Sequence, residues 1–162
     1  MPDTRATGDF WSFAESAWSD PGLRDRLMSW QDHHGADVIR VLFAAWHPGA
    51  LTTDDLDRLH ARARDWSTRA TLRIRALRRR LHTPERHALY RALLELELRA
   101  EHLGALHLLQ ECPPPAADAA PNRRPRADTI GERLARLEPG LPPDERSAGA
   151  AELASSSVPG LP

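Results

Sequence analysis

The chain contains no lysine: all 22 of its basic residues are arginine. Arginine suits planar, bidentate recognition of carboxylate and phosphate. A GC-rich genome produces the same absence without any functional cause. Cysteine occurs once, at Cys112, so an internal disulfide is excluded. No cationic neighbour or base adjoins Cys112 in sequence, which argues against a nucleophilic thiol. The longest uninterrupted apolar run is Val41 to Trp46. It is far short of the ~20 residues needed to span a bilayer. Met1 to Gly8 carries no apolar segment of the kind found in secretion signals. These absences predict a cytoplasmic protein with no membrane partner. Also missing are a glycine-rich phosphate loop, a nucleophile elbow, a paired C-x-x-C and an H-E-x-x-H. No cofactor is implied, no catalytic residue is identified, and no metal set is complete.

What is present is helical periodicity. Phe10, Phe13, Ala14, Ala17 and Trp18 form one stripe over residues 9–19. Asp20-Pro21 stops that helix and starts a second, carrying Leu23, Leu27 and Trp30 and ending at Gly35. Residues 37–47 are apolar nearly all round, which predicts a buried central helix. Thr52 or Thr53 caps a fourth helix with the stripe Leu56, Leu59, Ala63, Trp66, Ala70, Ile74, Leu77 and Leu81. Ser67, Thr68 and Thr71 weaken it and leave a break there as an alternative to a continuous rod. Thr83-Pro84 opens a fifth, with Leu89, Leu93, Leu96, Ala100, Leu103 and Leu106 expected inside. The expected fold is all-α: a five-helix bundle with a long C-terminal αα-hairpin. Its boundaries are a flexible 1–8, a helical domain at 9–112 and a tail at 113–162.

Ten of the 14 prolines fall in the tail, which has no aromatic residue. Such a composition predicts disorder. The exception is 128–138, where Ile130, Leu134 and Leu137 recur at helical spacing behind Asp128 as a cap. A helix this short is marginal alone, so it either docks on a partner, docks on the body, or does not form.

Charge is unevenly spread. Residues 1–57 hold 4 arginines against 10 acids, and residues 58–91 hold 11 against 2. Arg73, Arg75, Arg78, Arg79 and Arg80 make the densest cluster, a candidate anion-binding face. The structural alternative pairs these arginines with Glu95, Glu97, Glu101 and the acidic N-terminal half. A nucleic-acid partner lacks any supporting motif. Trp11 lies off its helix stripe, which makes it the candidate exposed anchor among the five tryptophans.

A second polar group sits at Gln31, Asp32, His34 and Asp37, beside the most apolar helix. Buried polar groups there must be paired or functional. In the structural reading Asp37 caps the third helix and His34 sits at the C-terminal end of the second. In the functional reading the four residues make a metal-dependent or catalytic site.

The sequence Phe10-Trp11-Ser12-Phe13, then Pro21-Gly22, Gln31-Asp32, His34-Gly35, Asp37-Val38 and Leu42-Phe43 to Trp46, resembles an uncharacterised proteobacterial family of short helical proteins. Its pattern is F-W-x-F followed by L-Q-D-x-H-G-x-D-V-N-x-L-L-F-x-x-W. Trp66 and the run from Leu72 to Arg79 resemble its later part, so the likeness spans about residues 9–111. Ile39 stands where the family has asparagine, and Ala70-Thr71 where many members have proline. The resemblance implies a helical fold and no established activity. With catalytic motifs missing, the leading expectation is a non-enzymatic interaction or regulatory module with a protein partner. Phosphate or nucleic-acid binding through the arginines is the first alternative, and the Gln31–Asp37 cluster the second.

Overall fold

A computed structural model describes residues 4–115 and 124–156. Every regular element among them is helical. In chain order they are α1 (Thr4–Ser19), α2 (Pro21–His34), α3 (Val38–Trp46), α4 (Thr53–Arg69), α5 (Thr71–Arg80), a 3₁₀ turn (Pro84–Arg86), α6 (His87–Glu111), α7 (Ala127–Leu137) and α8 (Pro143–Ser155). Helix α1 begins before the expected boundary, and Ala6 is buried in it, so residues 4–8 are ordered helix rather than a flexible lead. Residues 1–3 lie outside the described part.

The caps follow the sequence signals. Asp20 accepts a hydrogen bond from the Leu23 N–H at 3.0 Å, with Pro21 in the first turn of α2. Gly35 ends α2 at φ 66°, a left-handed position that costs a side-chain-bearing residue free energy. Thr52 and Asp55 make a reciprocal capping box on α4. Helix α3 is the centre: Val38, Val41, Leu42, Phe43, Ala44 and Ala45 are all buried. Phe10 from α1 meets Phe43 and Trp46 at ring-centroid distances of 6.1 and 5.4 Å.

The expected fourth helix is two. Ala70 breaks it, with φ −123° and ψ −75°. The break changes the face presented to α6. A continuous stripe puts Leu77 inside; instead Leu77 is exposed, Thr71 is buried, and Arg75 and Arg78 reach across to α6. Helix α6 is correspondingly turned. Its buried stripe is Leu93, Glu97, Ala100, Ala105, Leu108 and Leu109, while Leu89, Leu96 and Leu103 are exposed. Leucine occurs on every side of α6, so apolar spacing alone does not select its inner face. The pairing of Glu97 with two arginines does.

The larger correction concerns the tail. Residues 127–137 and 143–155 are helices packed onto the body, not disordered chain. Ile130, Leu134, Leu137, Leu141 and Leu153 are buried in the same core as α1–α4. Each such side chain contributes on the order of 1.5–3 kcal/mol. The prolines misled because they punctuate the helices instead of interrupting them: Pro125 precedes α7, Pro139 follows it, and Pro143 opens α8. The short helix foreseen at 128–138 is α7, docked on α3 and α4, with Asp128 in its first turn rather than at its cap. The rest of the expected disorder, at 116–123 and 157–162, lies outside the described residues.

Polar contacts anchor α7 and α8. Arg133 is buried and donates to the carbonyls of Ala44 (2.8 Å), His47 (2.8 Å) and Gly49 (2.6 Å), closing the C-terminal end of α3. Burial lowers its pKa to about 10, so it stays charged at neutral pH. Arg40 and Glu138, 9% and 5% exposed, form a 2.6 Å ion pair between α3 and the end of α7. Arg26 binds Glu145 and Glu152 of α8, and the Trp30 indole N–H donates to Glu145 at 3.0 Å.

Gly149 of α8 lies against the Trp30 ring. A Cβ there would fall 2.2 Å from Cη2 of that ring, whereas one at Gly131 in α7 would approach nothing nearer than 3.9 Å. Gly149→Ala is therefore expected to destabilise the protein by about 1–3 kcal/mol. Gly131→Ala is expected to stabilise it by about 0.5–1 kcal/mol, since alanine is the better helix former. Urea unfolding of the two variants checks this; equal effects would mean that α8 does not sit over Trp30.

Candidate functional site

The turn joining α2 to α3 must satisfy backbone groups beside a buried helix. Asp37 does so by accepting from the Arg40 N–H at 3.2 Å, the cap expected of it. That turn forms one wall of an open cavity of about 410 Å³. Gln31, Asp37 and Ile39 line it on this side. His60, Arg64, Trp66 and Ser67 of α4 and Thr71, Leu72 and Arg75 of α5 form the second wall. Glu101 and Gly104 of α6 form the third, and Pro139 closes one edge.

The four residues of the expected polar cluster do not converge. Gln31 and Asp37 line the cavity, while Asp32 and His34 are exposed and do not. Asp32 instead accepts from Arg79 at 2.8 Å. Among the described residues, no group of three or more His, Cys, Asp or Glu is placed to hold a metal ion.

The five clustered arginines also divide. Arg75 donates to Glu97 at 2.6 Å and to Glu101 at 3.0 Å. Arg78 donates to Glu97 at 2.5 Å and to the Tyr90 hydroxyl at 3.1 Å. Arg79 is held by Asp32. Arg73 and Arg80 are exposed. The pairing with Glu97, Glu101 and the acidic N-terminal half is thus present, and Glu95 takes no part in it.

Three carboxyls near this region have perturbed affinities for protons. Burial raises Glu97, which is only 4% exposed, but hydrogen bonds and charge from Arg78 and Arg75 outweigh it and hold the group below the usual range. Burial raises Glu101; Arg75 opposes this, and the negative charges of Glu97 and Asp37 add to it. Burial likewise lifts Glu138 despite Arg40. The cavity wall therefore carries one carboxyl, Glu101, that is reluctant to ionise.

Trp66 is fixed by its indole N–H, which donates to the Ala100 carbonyl at 2.8 Å. A Cβ at residue 104 would come within 3.1 Å of the ring, so glycine makes room for it. The His60 Nδ1–H donates to the Leu137 carbonyl at 2.9 Å, tying this wall to α7. Sequence reasoning offered His60 only as a distant histidine that folding would have to bring in, and it missed Thr71 and Glu138. None belongs to a motif, and only the fold brings them together. Trp11 is not the exposed anchor: it stacks on His102, centroids 3.9 Å apart, and packs on the core. Trp18 is exposed instead, at 40%. Cys112 is buried, and burial raises its thiol pKa.

The two glutamates of α6 should respond oppositely to pH. Glu101 binds its proton more tightly folded than unfolded. Its stabilising contribution is present below the unfolded carboxyl pKa of ~4.3 and is lost as pH rises through the folded value. Glu97 contributes above ~4.3 and loses that contribution as pH falls. Glu101→Gln should therefore improve in melting temperature relative to the wild type as pH rises from about 4 to 7, and Glu97→Gln should worsen. Melts across that range check both; parallel curves for the two variants would contradict the assignment.

None of the described helices is long and apolar enough to cross a membrane. No curated protein and no solved structure matches the chain. A family model described as protein of unknown function (DUF2390) matches residues 9–108, which run from α1 almost to the end of α6, and the chain belongs to that family.

Proposed function

We propose that the protein is a non-enzymatic cytoplasmic interaction module whose contact surface is the α5–α6 hairpin. The observation that carries this reading is the exposure of Leu72, Leu77, Leu89, Leu94, Leu96, Leu98 and Leu103, each between 37% and 50%. Leu89, Leu96 and Leu103 are seven residues apart and follow one flank of the buried α6 stripe. Leu94 and Leu98 follow the other. Exposed apolar side chains of this kind, rimmed by polar groups, are where proteins meet partners.

The charge of the rim states the partner's chemistry. Arg73, Arg80, Arg86, Arg91 and Arg99 have no carboxylate partner among the described residues. An apolar helix flanked by Asp and Glu complements such a surface. Phosphate contact alone leaves the leucines in water, which favours protein over nucleic acid. Two cationic hairpins repel each other, which disfavours self-pairing.

A photo-crosslinking residue at position 96, introduced in the native cell, tests the proposal. The expected product is one protein, crosslinked through a segment rich in Leu and Asp or Glu. Its affinity for the purified chain should fall at least tenfold, about 1.4 kcal/mol, in the Leu89→Ser, Leu96→Ser, Leu103→Ser triple variant. Affinity should also weaken with salt. Crosslinks to nucleic acid, to a second copy of the chain, or to nothing would overturn the reading.

A further inference from the structure

The cavity between the α2–α3 turn, α4, α5 and α6 shares Leu72, but none of the other exposed leucines, with the hairpin faces, and its lining has a chemistry of its own. Three kinds of hydrogen-bond donor border the cavity on its α4–α5 wall. No side chain caps that helix, so its first-turn N–H groups and the positive end of its dipole are uncompensated. Arg64 lines the cavity and has no carboxylate partner among the described residues. Thr71 is the sharper observation. The residue is only 8% exposed and lines the cavity, and its side chain makes no hydrogen bond among the described residues. The hydroxyl is therefore open to the cavity and free to bind what enters it.

A helix start, an arginine and a hydroxyl together favour an anionic group. The opposite walls carry carboxylates. Asp37 uses one oxygen to cap α3 and has another to offer. Glu101 gives Oε1 to Arg75 and leaves Oε2. A purely anionic ligand such as a phosphate leaves both of these acceptor oxygens without a donor. A purely cationic one leaves Arg64, Thr71 and the α5 N-terminus unmatched. Only a molecule bearing both charges answers both walls. Trp66 supplies an apolar face between them, and its ring is immobilised by the bond to Ala100.

We infer that this cavity binds a small zwitterion of the α-amino-acid class. The ligand carboxylate accepts from the Thr71 hydroxyl, the first N–H groups of α5 and Arg64. The ligand ammonium donates to Asp37 and Glu101. Its side chain lies along Trp66 and Leu72. Burial first, and then the negative charges of Glu97 and Asp37, disfavour the charge on Glu101, and an ammonium beside it offsets both.

Calorimetric titration of the full chain with each of the twenty L-amino acids tests the inference, with butylamine and butyrate as single-charge controls. At least one amino acid should saturate a single site. Its affinity should fall at least tenfold in Thr71→Val and in Asp37→Asn, a substitution that keeps a capping side chain on α3. Thr71→Ser should bind within a few-fold of the wild type, separating loss of the hydroxyl from loss of the fold. If Thr71→Val does not fold, nuclear Overhauser contacts between the bound amino acid and the Trp66 ring in the wild type decide the matter. The inference is overturned if no amino acid saturates below about 10 mM. It is equally overturned if butylamine or butyrate binds as tightly as the best amino acid, if both variants bind like the wild type, or if the Trp66 contacts are missing. None of these results bears on the hairpin, whose crosslinking is read separately.

Discussion

Arg133 is the contact on which the rest of the structure depends. It reaches from α7 to three carbonyls that end α3, and among the described residues it has no carboxylate partner, so carbonyl dipoles compensate its charge. Moving α7 away takes the Arg133 donor from those carbonyls and the Glu138 carboxylate from Arg40. Removing one member of a buried ion pair costs about 3–5 kcal/mol. The apolar side chains Ile130, Leu134 and Leu137 lie beside these contacts. Polar anchoring and apolar burial therefore stand or fall together, and α1–α4 with α7 and α8 share one core. The cavity depends on the same joint. Pro139 borders it, and His60, on its α4 wall, is bonded to the Leu137 carbonyl.

Away from this core the construction changes. Helix α5 and the first half of α6 are held to each other by a buried carboxylate clasped between two arginines. Such a joint is strong when complete, yet it covers little apolar surface. That is why so many leucines of the hairpin remain in water, and why the most cationic part of the chain also exposes the most leucine. The break at Ala70 is the geometric condition for both features. It turns Arg75 and Arg78 toward Glu97, turns Leu72 and Leu77 to the flanks, and opens the N-terminus of α5 toward Asp37.

Much of the fold was legible in the residues. Asp20-Pro21, Gly35, Asp37 and Thr52 each carry a local signal whose physics does not need tertiary context, and each acts as its type suggests. The buried character of α3 followed from its lack of a polar face. What escaped notice depended on long-range contact. Leucine on every side of α6 gave no information about orientation, and the deciding residue was a glutamate. Proline density in the tail argued for disorder because composition does not distinguish a proline within a helix from one at its border. Helix α8 has one glycine, Gly149, whose value lies in allowing Trp30 to approach. The candidate site was half legible: Gln31 and Asp37 reach the cavity, while Asp32 and His34, their neighbours by sequence, point elsewhere. Glu101 and Thr71 look like ordinary helix residues until the fold sets them around the same space.

Backbone amide hydrogen exchange resolved by residue tests the joint between α7 and α3 most directly. The structure predicts that the Arg133 and Leu134 amides exchange only through global unfolding, with the same protection as Leu42 and Phe43. Exchange at Leu134 near the rate of an unstructured peptide, with Leu42 still protected, would show that α7 is not part of the core and would contradict the account.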